Sequence, residues 1–186
     1  MKLIKFLSVV FLFMTFGDIN AQISLHPGID LAGMIGIKET SDEGNISTSE
    51  AQMSATSLRV KLLCDFNTKI SSGLGVGLDG YSEPNYNTFP VFATINYFPF
   101  KKVKFFGLLD CGYSPKINSN YVKGLLFDAG LGYRLQFKKH FGMNFMLYYN
   151  AKQFKENYRY WIEGTEYEWN HSAWRHSISV SVGFIF

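Results

Sequence analysis

The sequence predicts an all-β fold, a membrane-spanning antiparallel up-and-down β-barrel of about eight strands. Three observations carry that expectation. Residues 174–186 alternate strictly: Trp174, His176, Ile178, Val180, Val182, Phe184 and Phe186 fall on one face, and Arg175, Ser177, Ser179, Ser181 and Gly183 on the other. Successive side chains of a strand point to opposite faces of its sheet, so the lipid-facing and lumen-facing residues of a barrel must alternate in this way. The second observation is the make-up of the small face. Leu74, Val76 and Leu78 oppose Gly73, Gly75, Gly77 and Asp79; Leu125, Phe127, Ala129, Leu131, Tyr133, Leu135 and Phe137 oppose Gly124, Asp128, Gly130, Gly132, Arg134 and Gln136, with only Leu126 out of pattern. A soluble barrel would turn its bulky face inward and cover its outside with Lys, Glu and Thr, because a water-facing strand of glycines costs entropy and packs nothing. The bulky face is therefore the oily outside, and the glycines with isolated charges line a narrow lumen. The third observation is a strict rotation of short and long connections, the layout of a barrel with tight turns at one end and loops at the other.

Taken in order, the first strand runs from about Pro27 to Lys38, followed by a polar loop, Glu39 to Ala55, without apolar period. The second, Thr56 to Phe66, turns through Asn67, Thr68 and Lys69 into the third, Ser71 to Tyr81. Ser82 to Asn87, containing Pro84, makes the next loop. The fourth, Thr88 to Phe98, turns at Pro99 to Lys102 into the fifth, Val103 to Ser114, and Pro115 to Tyr121 is a loop rich in Asn and Ser. The sixth, Val122 to Phe137, turns at Lys138 to His140 into the seventh, Phe141 to Phe154. The longest excursion, Gln153 to Ala173 with Gly164 at its tip, leads to the closing strand. Aromatics mark both strand ends: Phe66, Tyr97, Tyr133, Phe137, Phe141 and Phe186 on the short-turn side, and Phe89, Tyr149 and Trp174 on the loop side. Such girdles fit the two interfaces of a bilayer.

The N-terminus reads as a secretory leader. Lys2 and Lys5 form a basic n-region, Phe6 to Phe16 an apolar h-region, and Gly17 to Ala21 a polar segment ending in a small residue, which divides the chain into a signal peptide, 1–21, and a barrel domain, 22–186. The apolar run is shorter than the roughly 20 residues a spanning helix needs. No Cys follows it, which disfavours a lipid anchor. Aromatics make up 17% of the chain and charged residues 18%, the latter below the roughly 25% of a soluble domain. A net charge of +3 with no basic stripe argues against nucleic-acid binding. Cys64 and Cys111 fall on bulky faces of strands that are not neighbours, so both read as free thiols acting as small hydrophobes.

On the small, inward faces Arg59, Lys61, Asp79, Asp110, Asp128 and Arg175 fall at similar height, with Arg59 beside Asp79 and Asp110 beside Asp128. An interior of about eight strands is just wide enough for side chains to fill, so these residues read as a charge plug whose signs nearly balance. The rival reading is a narrow transport path for protons or small apolar molecules, motivated by two neighbouring carboxylates that repel each other. For catalysis, a Ser and its activating His must share a face. His171 and Ser172 are adjacent, and His176 and Ser179 are three apart, so both pairs point to opposite sides. No catalytic set, phosphate loop or metal-ligand spacing emerges, so neither enzyme nor cofactor is expected. The excursion before the closing strand carries Tyr158, Arg159, Tyr160, Trp161, Tyr167 and Trp169 among acidic residues. Those residue types make interaction hot spots, and they equally zip a protruding hairpin by cross-strand pairs. Lys155 and Arg159 add a third reading, contact with lipopolysaccharide sugars and phosphates.

The leader, the eight alternating segments, the rotation of turns and loops, and the closing segment Ser177 to Phe186 together resemble the small outer-membrane barrels of Gram-negative bacteria, the group of the OmpA transmembrane domain and OmpX. The resemblance implies residence in the outer membrane after secretion to the periplasm, among its lipids and lipopolysaccharide. It also implies that Val182, Phe184 and Phe186 act as a terminal signal read transiently by the barrel-assembly machinery. Some barrels of this class modify lipids, which keeps a membrane enzyme as a further alternative. Ending at the barrel, the chain departs from OmpA proper, which puts a cell-wall tethering role in doubt.

Overall fold

The computed structural model describes residues 24–42, 44–47, 50, 53–83, 85–100, 104–138, 141–162 and 165–186. Backbone alone is described for 138, 158–162 and 165–170, and the expected leader, 1–21, lies outside the described residues. The strands are β1 (Ser24–Ser41), β2 (Gly44–Ser47), β3 (Ser54–Asp65), β4 (Ile70–Tyr81), β5 (Tyr86–Thr88), β6 (Val91–Tyr97), β7 (Phe105–Ser114), β8 (Gly124–Lys138), β9 (Phe141–Ile162) and β10 (Thr165–Ile185). The wall runs β1, β3, β4, β6, β7, β8, β9, β10, each antiparallel to its sequence neighbour, and β10 pairs back to β1 from Gly28↔Ile185 to Ser41↔Ala173. These eight strands close a barrel, leaving the wall without a free edge.

Two short strands modify the expected layout. β2 folds back on the end of β1, from Lys38↔Ser47 to Ser41↔Gly44, so the expected polar loop from Glu39 begins as a hairpin and not as irregular chain. The expected strand from Thr88 to Phe98 is two pieces, β5 and β6, because Pro90 lacks the N–H that a continuous ladder needs. Its carbonyl still accepts from the Gly77 N–H at 2.9 Å, while β5 carries the wall upward beside Asp79 to Tyr81. The excursion Gln153 to Ala173, expected as a protruding hairpin, extends the wall strands themselves. It is a continuous ribbon, paired from Ala173↔Phe154 to Thr165↔Ile162, as its Tyr, Trp and Thr content favours.

The bulky face is the outer one. Leu31, Leu74, Leu131 and Val180 are 58%, 68%, 69% and 62% exposed, whereas Arg59 and Asp128 on the opposite face are 3% and 0% exposed. Exposed apolar residues recur on all eight wall strands, far beyond the patch a water-soluble monomer tolerates, and they form the band a bilayer covers. At the short-turn end Phe141 packs against Phe137, Phe184 and Phe186, with ring centroids 5.7, 6.5 and 5.7 Å apart, and Phe105 lies 5.0 Å from Tyr133. Cys64 and Cys111 are both free.

Glycine on the inner face has a steric cause. A Cβ on Gly75 would strike the ring of Phe92, and one on Gly132 would strike Phe106; both rings are buried in the lumen. The glycines thus give the two phenyl rings their space. Replacing Gly132 with Leu will force Phe106 out of its rotamer, at about 1–3 kcal/mol, read as a lower urea midpoint for the refolded barrel. Val180→Arg will cost about 2–4 kcal/mol near the midplane; an unchanged midpoint would show that this face does not meet lipid.

Candidate functional site: a filled lumen beneath an external ribbon

Alternation delivers every inward side chain into one column, and the column has three levels. The middle level is ionic. Arg59 on β3 bonds Asp128 on β8 through Nη1, lies 3.6 Å from Asp110 on β7 and 3.7 Å from Asp79 on β4, and donates from Nε to Ser57 Oγ at 3.0 Å. Lys61, one inward position lower, bridges Asp110 at 3.1 Å and Asp30 on β1 at 3.0 Å. Lys152 on β9 reaches Asp79 at 3.8 Å and donates to Ser114 Oγ at 2.5 Å. Asn150 donates to Asp128, and Ser57 and Thr88 to Asp79. Phe92 lies under both cations, its ring centre 5.3 Å from the Arg59 guanidinium and 5.4 Å from Lys61 Nζ. Charges this deep are tolerable only when paired, and each carboxylate here faces at least one cation.

Aromatic levels close the column on both sides. Toward the turns, Phe106, Leu108, Met146 and Tyr148 cluster, and Arg134 sits over the rings of Phe98 and Phe106 while its Nε donates to Asn144 at 3.0 Å. Toward the loops, Phe154 stacks on Tyr86 and meets Tyr81 edge-on, packed with Met34, Ala55 and Val122. Arg175 lies fully buried against these three rings. Its Nε donates to Glu39 at 2.7 Å, and its two terminal nitrogens donate to the carbonyls of Ser82 and Glu83. Glu83 adopts a φ of 47°, unusual for a side-chain-bearing residue, within the chain that Arg175 holds over the mouth.

Of the residues singled out in the sequence, Arg59, Lys61, Asp79, Asp110 and Asp128 meet in one cluster, with Asp110 opposite Asp128 in register. Arg175 stands apart from it, paired with Glu39. Sequence reasoning missed Asp30, Lys152 and Glu39. Parity alone would have placed the first two inside, since Asp30 alternates with Ile29 and Leu31, and Lys152 continues the series of Tyr148 and Asn150. Glu39 was not legible. Counting from Asp30 puts Lys38 inside and Glu39 outside; a bulge between Gly36 and Lys38 resets the phase, turning Glu39 to Arg175 and Lys38 outward.

Val182, Phe184 and Phe186 lie on the outer face of β10 at the short-turn end, with Phe184 and Phe186 packed on Phe141. In the ribbon, the register opposes Tyr158 to Trp169 and Tyr160 to Tyr167 on the side that continues the lumen face, and Arg159 to Glu168 and Trp161 to Glu166 on the other. Side chains of 158–170 lie outside the description. His176 is on the outer wall, bonded through Nδ1 to the Tyr149 hydroxyl, whereas Ser177, Ser179 and Ser181 are buried inside. Among the described residues no group of His, Cys, Asp and Glu is arranged to hold a metal ion.

No family model and no curated protein matches the sequence. Solved structures match in fold. Outer membrane protein AlkL is 11% identical, with 87% of this chain and 89% of that chain covered and a TM-score of 0.52. Neisserial surface protein A is 14% identical over 87% of this chain and 99% of that one, at a TM-score of 0.46. OprG from Pseudomonas aeruginosa is 14% identical over 91% and 99%, also at 0.46. The likeness to AlkL is one of fold. A closed eight-stranded wall with an oily outside defines the class of the molecule: an integral membrane β-barrel, lodged among lipids.

Truncating one partner of the ionic level will expose its dependence on pairing. Arg59→Met leaves Asp79, Asp110 and Asp128 facing one another and will destabilise the barrel by about 3–5 kcal/mol. Adding Asp128→Leu to Arg59→Met will recover part of that loss, measured by urea titration in detergent. Equal midpoints for the parent and Arg59→Met would rule out the cluster as an interior element.

Proposed function

We propose that in the outer membrane this protein is a non-enzymatic, plugged barrel that holds the β9–β10 ribbon above the surface for recognition, with residues 1–21 as its export leader. The observation that carries this reading is the reach of the ribbon. The last partners of β9 and β10 in the wall are Lys123, across from Lys155, and Ser41, across from Ala173. Beyond these, the backbone ladder described for the two strands runs between β9 and β10, for about 20 Å at ~3.3 Å per residue. An isolated ribbon is marginal in water unless it is held by cross-strand pairs or covered by a partner. The register that sets two aromatic pairs on one side and mixed charges on the other supplies both a zipper and a surface of hot-spot residue types.

The filled column supports the absence of an open pore, because three levels of side chains stand in series along it. The separation of His176, outside, from Ser177, Ser179 and Ser181, inside, supports the non-enzymatic reading; Ser172, on the outer face, is four residues and about 13 Å along the strand from it. Lipopolysaccharide at the wall and the barrel-assembly machinery at Val182, Phe184 and Phe186 are the partners that this residence implies.

Changing Tyr158, Tyr160, Trp161, Tyr167 and Trp169 together to Ser will abolish surface attachment or ligand capture while leaving the heat and detergent resistance of the barrel intact. Real aromatic anchors account for about 2 kcal/mol or more each, so a change in binding of less than about twofold, with a ribbon newly open to protease, would leave only the zipper. Planar-bilayer recordings will show no steady large-conductance openings; such openings would overturn the plugged lumen.

A further inference from the structure

We propose that the loop-end rim of the wall built by β8, β9, β10 and β1 is a docking surface for the phosphates of a phosphorylated glycolipid headgroup in the adjoining leaflet. The proposal deepens the reading of an outer-membrane barrel and rests on it. Lys123 and Lys155 lie directly opposite each other in an antiparallel bridge, the Lys155 N–H donating to the Lys123 carbonyl at 2.8 Å. Both share the outward parity of Leu125, so their side chains leave the barrel from adjacent points about 5 Å apart. Like charges directly opposite on one face destabilise a sheet. An anion between them removes that repulsion, and no described carboxylate is paired with either lysine.

A second cation pair lies on the same wall. The bulge that turns Glu39 inward also sets Lys38 outward, opposite His176. The Tyr149 hydroxyl holds Nδ1 of His176 and stacks its ring, leaving Nε2 as the edge available to a ligand. Trp174 lies one outward position above His176 and one below the Lys155 row, so an aromatic ring of the interfacial type separates the two cation pairs. The pairs are offset by four residues along the strands, about 13 Å at ~3.3 Å each, and by two strand spacings across them, about 10 Å, so they stand roughly 16 Å apart, a span that a headgroup bearing two phosphates bridges with extended lysines.

The occupant is a lipid and not a free anion because the site is continuous with the oily band. Ile35, Ile178, Leu125 and Phe127 lie immediately below it on the same strands, where acyl chains attached to the bound headgroup would lie.

The test uses the full refolded chain in a zwitterionic detergent, with native mass spectrometry and a competition titration reading bound ligand. The probes are bis-phosphorylated lipid A, the same lipid after phosphatase treatment, and inorganic phosphate. The parent will bind the phosphorylated lipid at least tenfold more tightly than the dephosphorylated one. Lys123→Gln with Lys155→Gln, and separately Lys38→Gln with His176→Gln, will each weaken it at least fivefold, while Thr56→Ala on the opposite wall will not. Lys123→Arg with Lys155→Arg will retain binding, which separates loss of charge from loss of fold. Indifference to phosphatase treatment, or parent-like binding by both Gln pairs, would sink the proposal, and inorganic phosphate competing as well as the lipid would assign the site to a free anion. Failure of the chain to fractionate with the outer membrane would instead remove the residence reading, a result the detergent titration does not touch.

Discussion

In hydrocarbon no water is present to satisfy a backbone N–H or carbonyl, and each orphan costs several kcal/mol. The pairing of β10 with β1 answers that demand for the whole wall, because it converts a sheet with two open edges into one with none. The other main features follow from it. Closure makes one face of every strand oily and the other enclosed, and with eight wall strands the enclosed space is too narrow for anything but side chains. Small residues must then alternate with large ones inside, and Gly75 and Gly132 do so against Phe92 and Phe106.

Enclosure also explains why the interior is charged without being a channel. The middle level holds the cations Arg59, Lys61 and Lys152 among the carboxylates of Asp30, Asp79, Asp110 and Asp128, contributed by β1, β3, β4, β7, β8 and β9. A buried ion pair adds little net stability against a well-packed apolar substitute, yet it tolerates the loss of neither partner. Such a cluster therefore acts chiefly as a register lock: a one-residue slip of any contributing strand would turn its charge out into lipid and leave its partners buried alone.

The loop end differs in kind from the turn end. Arg175 engages each of its three guanidinium nitrogens, one with Glu39 and two with loop carbonyls, holding the chain after β4 across the mouth. Above this cover β9 and β10 continue as a two-stranded ribbon, and beside it the rim carries Lys38, Lys123 and Lys155 on its outer face. The barrel is thus filled within, and the functions proposed for it fall to its rim and to the ribbon above it.

The fold was legible because membrane strands obey a period of two that any residue can be tested against, and Trp174 to Phe186 satisfies it without a break. The same parity by itself places Arg59, Lys61, Asp79, Asp110 and Asp128 on the inner face, and it contains Asp30 and Lys152 as well. Parity fails where phase changes. The bulge at Gly36 and Lys38 exchanged the faces of Glu39 and Lys38, and only pairing with β10 reveals it. Nor does alternation state where a strand stops taking part in the wall: the stretch after Phe154 reads as a protruding hairpin, but that its strands are the unbroken continuation of β9 and β10 is a matter of pairing. By itself, then, the sequence determined which face of each strand meets lipid, because that depends on one chain's periodicity. Which charges pair, and where the ladder leaves the wall, were decided by the tertiary structure, because those depend on the stagger between strands that closure imposes.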